Sequence, residues 1–197
     1  MKRVPNILSA LRILLAPLFF YLYLQDAVVW AALGMLVFIL AAITDYLDGY
    51  FARRYDVSSS LGVFLDPLAD KILTFAGFIC LAFIDSEQFP CWIIGIIVFR
   101  DIFVTGLRIW SDYRGVSMKT LYSAKVKTFA QMIFLYIVLV IGVFYKADGY
   151  PGEWSRLLLD SDVFGWLFIL VMIITVYTAV EYIWINRRLF TRESENS

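Results

Sequence analysis

Four aspartates, Asp45, Asp48, Asp66 and Asp70, stand within one short stretch of an otherwise strongly apolar chain. Carboxylates at the edge of hydrocarbon are costly to ionise unless a positive charge compensates them, so such a cluster reads first as a cation-holding site. On helices, Asp45 and Asp48 lie about 60° apart and Asp66 and Asp70 about 40° apart, so each pair shares a face. The polar segment between the pairs, Arg53–Ser60, is too short to separate them far. Four converging acids would repel one another, and some would be forced neutral, unless divalent cations filled the gap. Oxygen-only ligation suits Mg²⁺ or Mn²⁺, which also bind phosphate oxygens. Two such ions could clamp a pyrophosphate, polarise the attacked phosphorus and neutralise a leaving group, the chemistry of phosphoryl-type transfer.

The elements that must carry these acids follow from composition. The chain has 197 residues, 61% of them hydrophobic and 17% charged, with a mean hydropathy of +0.77. That is too apolar for an ordinary soluble domain. Apolar runs of about 20 residues, enough to cross the hydrocarbon, recur too often to be a cleaved signal. The expected fold is all-α and polytopic, with six transmembrane helices at Ile7–Gln25, Val28–Phe51, Pro67–Ile84, Phe89–Trp110, Leu121–Tyr145 and Val163–Asn186. Continuous apolar runs without strict alternation argue against a barrel. Pro17 and Pro67 are read as a kink and an N-terminal proline.

An even number of spans puts both termini on one side. Of the 17 Lys and Arg, only Lys146 and Arg156 fall in loops of the other side under this layout. Both termini are therefore expected in the cytoplasm. Zero formal net charge hides this asymmetry, with Asp26, Asp85, Glu87, Asp148, Glu153, Asp160 and Asp162 on the far side. A basic cytoplasmic face suits anionic lipid and phosphate, although topology alone would demand much of it.

No composition break or repeat divides the chain, so 1–197 reads as one domain with a short basic N-terminal arm and a polar tail, Thr191–Ser197. The connection Lys146–Asp162 contains the turn-rich Asp148-Gly149-Tyr150-Pro151-Gly152, lies opposite the proposed site and is assigned no chemistry. The absence of histidine excludes His-based acid–base catalysis and Ser-His-Asp hydrolysis. Cys80 and Cys91 lack metal spacing and read as packing residues.

Gly49, Ala52 and Gly62 sit among the acids, where missing side chains would let a nucleotide approach the backbone; close helix packing is the other reading of the same residues. Arg100 and Arg108 fall within about 80° on one helix and could face a common phosphate pocket with Lys125. Alternatively Arg100 pairs with an acid on another helix, and Arg108 and Lys125 snorkel. Arg12 either supports the nucleotide site or snorkels. Glu181 could pair with one of these cations.

The stretch from Asp45 to Asp70 reads D-x2-D-G-x2-A-R-x8-G-x3-D-x3-D, with every fixed position filled. It resembles the motif of the CDP-alcohol phosphotransferase family. The resemblance implies a six-helix membrane enzyme that transfers a substituted phosphate from a CDP-linked donor to an alcohol and releases CMP. It implies that Asp45, Asp48, Asp66 and Asp70 hold two divalent cations, Mg²⁺ or Mn²⁺. Asp70 would be the base that takes the acceptor's proton, and Gly49, Ala52, Arg53 and Gly62 would line the CDP site.

Outside the motif, Pro5-Asn6-Ile7-Leu8-Ser9-Ala10-Leu11-Arg12, Leu65-Asp66-Pro67-Leu68-Ala69-Asp70-Lys71 and Lys125-Val126-Lys127-Thr128 with Gln131-Met132 are similar to the bacterial branch of that family whose acceptor is glycerol 3-phosphate. One departure is Arg100-Asp101, where that branch has Arg-Glu. This likeness implies CDP-diacylglycerol as donor, glycerol 3-phosphate as acceptor held by Arg100, Arg108 and Lys125, and phosphatidylglycerophosphate as product. It also implies a homodimer in the bacterial cytoplasmic (inner) membrane, its site facing the cytoplasm, with no nucleic-acid partner. Other acceptors of the same chemistry are phosphatidylglycerol, inositol phosphate and serine. A divalent-cation transporter is the rival from another class, but it predicts acids strung along a route through the bilayer rather than gathered at one end.

Overall fold

The computed structural model describes residues 4–55, 60–114 and 121–191, with side chains described within 10–44, at 69, and within 71–114 and 121–187. Among the described residues there are seven α-helices: α1 (Val4–Tyr23), α2 (Val28–Tyr55), α3 (Ser60–Ile84), α4 (Cys91–Tyr113), α5 (Tyr122–Tyr145), α6 (Tyr150–Asp160) and α7 (Val163–Thr191). The all-helical class follows from long apolar runs whose backbone groups are satisfied within each segment.

The six-span expectation is corrected. Among the described residues, two helices are long and apolar enough to cross a membrane, Tyr122–Tyr145 and Val163–Arg187, while Ala10–Tyr23, Val28–Thr44 and Lys71–Ile84 form shorter apolar stretches. The sequence reading counted length and tolerated charge inside its spans. Arg100, Asp101 and Arg108 break the apolar run of α4, and the described side chains of α1, α2 and α3 make apolar stretches shorter than a span. Placing both termini in the cytoplasm rested on the even count and falls with it. Large apolar side chains nevertheless cover the outside of the helices, among them Leu14, Phe83, Phe99, Trp166 and Tyr177. So much exposed apolar surface marks a protein associated with membrane.

Helix α1 packs chiefly on α2 and α3, while α7 packs on α4 and α5, and α3 and α5 also meet. Phe168 of α7 is the aromatic centre of the second group: its ring lies 5.5 Å from Phe134 of α5, 5.5 Å from Phe89 and 6.3 Å from Phe78 of α3. Phe19 of α1 and Phe38 of α2 meet at 4.7 Å in the first.

Polar ties join the groups at the end of α1. The Tyr23 hydroxyl donates to the Leu139 carbonyl at 2.7 Å. The Lys146 ammonium, just past α5, donates to the carbonyls of Tyr23 and Gln25 at 2.6 and 2.8 Å, capping a helix end that offers unpaired carbonyls and negative dipole. Burial holds that ammonium below the usual lysine range, and Asp26 draws it partly back.

Close approach of α1 and α2 depends on Gly34. A Cβ there would stand 2.8 Å from the Tyr23 backbone nitrogen and 3.1 Å from its Cα, where no side chain can swing away. Gly34→Val should cost about 1–3 kcal/mol by overpacking. The measurement is the thermal unfolding midpoint in detergent; an unchanged midpoint would show that the two helices do not pack closely.

Candidate active site

Asp45, Asp48, Gly49, Ala52 and Arg53 lie on the C-terminal half of α2, and Gly62, Asp66 and Asp70 on the N-terminal half of α3. The motif is therefore carried by two consecutive helices, as its spacing predicts. Its side chains lie outside the described residues. Among the described residues, no group of three or more His, Cys, Asp or Glu could hold a metal ion.

The layer next to the motif is described. Ala42 of α2, one turn before Asp45, and Thr74 of α3, one turn after Asp70, line a cavity of about 110 Å³ with Arg12, Phe38, Leu73, Met132 and Tyr136. Arg12 is 1% exposed, so it does not snorkel.

A buried charged network adjoins the same end of α3. Asp101 of α4 is its hub and is 3% exposed. Lys127 of α5, 2% exposed, donates to Asp101 Oδ1 at 2.5 Å, and Arg100 Nη1 reaches the same oxygen at 3.1 Å. Gln131 Nε2 donates to Oδ2 at 3.4 Å, and Lys71 Nζ lies 3.7 Å from that oxygen. Arg100 also donates to the Thr175 carbonyl at 3.1 Å and to the Thr178 hydroxyl at 2.9 Å on α7. One carboxylate thus gathers cations from α3, α4 and α5, and Arg100 ties them to α7. Among the described residues, Arg100, Lys127 and Lys71 all lie within 4 Å of the Asp101 carboxylate. Lys71 directly follows Asp70, so the cluster and the acidic motif are neighbours along α3.

The expected phosphate cations separate by depth. Arg100 is buried in the network and pairs with Asp101 of its own helix rather than with an acid on another helix, whereas Arg108 and Lys125 are exposed on α4 and α5. Sequence reasoning singled out Lys125 and passed over Lys127 two residues later. The signal was present: Lys127 and Gln131 are four apart and face inward together, a polar pair on an otherwise apolar stripe of α5. Glu181 accepts from the Ser123 hydroxyl at 2.5 Å, a further tie between α5 and α7.

Comparison with known proteins bears on this arrangement. The model of the CDP-alcohol phosphatidyltransferase family matches residues 2–177. The chain belongs to the CDP-alcohol phosphatidyltransferase family. The match takes in both the aspartate motif and most of the charged network. Within the family, the chain is similar to the CDP-diacylglycerol–glycerol-3-phosphate 3-phosphatidyltransferase of Rickettsia typhi, 35% identical over 179 residues covering 90% of this chain and 95% of the relative. It is similar also to the proteins of that name from Bacillus subtilis, 33% identical over 77% of this chain and 83% of the relative, and Escherichia coli K12, 34% identical over 67% and 74%.

Proposed function

We propose that this CDP-alcohol phosphatidyltransferase moves the phosphatidyl group of CDP-diacylglycerol to sn-glycerol 3-phosphate, releasing CMP and forming phosphatidylglycerophosphate. The observation that carries the reading is identity of 35% along nine-tenths of the chain with a relative named for that reaction. The filled aspartate motif and the cluster of Lys71, Arg100 and Lys127 on the adjoining helices support the same reading.

In this proposal the acceptor's free hydroxyl oxygen attacks the phosphorus next to the lipid. The new P–O bond forms as the bond to CMP breaks, and Asp70 takes the hydroxyl proton. Gly49, Ala52, Arg53 and Gly62 seat the cytidine nucleotide. Arg108 and Lys125 meet the acceptor's phosphate from the exposed side, while Arg100, locked to Asp101 and α7, fixes the position of α4. Four carboxylates without histidine are a donor set that fits hard divalent cations, so Asp45, Asp48, Asp66 and Asp70 would hold two Mg²⁺ or Mn²⁺ ions. When bound, such ions neutralise charge on the diphosphate and the departing CMP.

The whole chain, 1–197, acts in this reading as one domain and as a homodimer. It sits in the bacterial cytoplasmic (inner) membrane, with the site facing the cytoplasm, where the donor and acceptor phosphates are supplied.

The test offers purified enzyme one donor with a panel of acceptors: glycerol 3-phosphate, phosphatidylglycerol, inositol phosphate and serine. Phosphatidylglycerophosphate from the first is the expected product. Exclusive use of another acceptor would replace the proposal. In the same assay, Arg108→Ala should raise KM for glycerol 3-phosphate about 10-fold or more, the worth of one charge-assisted phosphate contact, while KM for the donor holds. An unchanged acceptor KM would remove Arg108 from the pocket.

A further inference from the structure

Helix α6, the 11-residue Tyr150–Asp160, has three faces where a surface helix needs two. At about 100° per residue, Gly152, Ser155 and Leu159 fall in one stripe. All three are buried, and the helix packs there on α5. Glu153, Arg156 and Asp160 fall in a second stripe and are exposed. Tyr150, Trp154, Leu157 and Leu158 form the third, and they too are exposed, Tyr150 at 71% and Leu157 at 66%. The second stripe suits water, whereas leaving the third in water forgoes about 1.5–3 kcal/mol for each large apolar side chain that could be buried.

The position of α6 says what covers that third face. It joins the end of α5 at Tyr145 to the start of α7 at Val163, and among the described residues these are the two helices long and apolar enough to cross a membrane. Consecutive spans so joined meet at one membrane surface, so the connecting helix lies along that surface. The apolar skin of α5 and α7 continues onto it through exposed Phe144, Tyr145, Val163 and Trp166. Tyr150 and Trp154 stack edge to face at 6.1 Å, and the Arg156 guanidinium lies 5.8 Å from the Tyr145 ring. Paired aromatics beside a cation are suited to the headgroup layer, where a ring can be half apolar and half wet.

We propose that α6 is an interfacial helix lying in the plane of the lipid headgroups at the surface opposite the aspartate motif. Tyr150, Trp154, Leu157 and Leu158 insert among the lipids, and Glu153, Arg156 and Asp160 face water. It fixes the depth of the α5–α7 pair, and this role is independent of which acceptor the enzyme uses.

The test uses the full chain in vesicles of phosphatidylglycerol and phosphatidylethanolamine. Cys91, which is exposed, is first changed to Ser, and buried Cys80 is kept. An environment-sensitive fluorophore is then attached at Leu157→Cys or, in a second protein, at Glu153→Cys. Quenching is read with nitroxide lipids labelled just below the headgroup and with aqueous iodide. The label at 157 should be quenched by lipid at least about threefold more than the label at 153, with the order reversed for iodide. Equal iodide quenching at both positions would put the face in water and overturn the proposal. Shielding of position 157 from both quenchers would overturn it in favour of a protein partner or second copy. Leu158→Cys, one residue along the same stripe, gives the same reading should the first variant misfold.

Discussion

Asp70→Asn is expected to lower turnover by about 10²–10⁴-fold, the usual share of a positioned general base. Asparagine keeps the size of the side chain but can neither accept the hydroxyl proton nor contribute charge to a cation site. The loss should fall on kcat, because the proton moves only as the P–O bond forms. Binding of CDP-diacylglycerol should change little, since Gly49, Ala52, Arg53 and Gly62 are untouched. Stability should hold or rise in chelator, where removing one of four crowded carboxylates relieves repulsion. Turnover within a few-fold of the parent would take the base role away from Asp70, and circular dichroism would show whether a dead variant is merely unfolded.

Asp101→Asn should give the largest change in stability, about 3–5 kcal/mol, the cost of removing one partner from a buried ion pair. The reason lies in its partners. Two buried cations, Lys127 and Arg100, pair with the Asp101 carboxylate, and Lys71 approaches it from α3. Without it, Lys127 must either stay charged in an apolar surrounding or lose its proton. Asp101→Glu should be tolerated far better, because the acid survives. The double variant Asp101→Leu with Lys127→Met should recover part of the loss, since an apolar pair can replace a buried ion pair at little cost. Chemical unfolding in mild detergent reads all three. A loss below about 1 kcal/mol for Asp101→Asn would mean that the network is solvated and not a hub.

The chain announced its motif more plainly than its membrane layout. The aspartate spacing placed two pairs on consecutive helices, and α2 and α3 carry them, though α3 begins at Ser60 and takes in residues read as a connection. The start of α7 at Val163 was legible because an apolar run begins there abruptly after Ser161-Asp162. Span counting failed where charge and length compete: a helix such as α4 is long enough, yet Arg100, Asp101 and Arg108 divide its apolar surface.

Helix α6 escaped for a different reason. Asp148-Gly149-Tyr150-Pro151-Gly152 reads as a turn, and Gly149 does take a positive φ of 73°, but it leads directly into the helix, with Pro151 in its first turn where a missing N–H does no harm. Depth was the other illegible quantity. A long cation on an apolar helix can snorkel or pair, and sequence alone does not choose between them. Partners on another helix decide it, Thr175 and Thr178 of α7 for Arg100 and Asp101 of α4 for Lys127, and no single helix contains that information.

The most direct test of the central claim is release of CMP from CDP-diacylglycerol by the purified chain, with and without glycerol 3-phosphate, in Mg²⁺ and in chelator. The account predicts release that requires both the acceptor and the divalent cation, matched mole for mole by phosphatidylglycerophosphate. Release that continues undiminished in chelator would contradict a site built from Asp45, Asp48, Asp66 and Asp70 around divalent cations.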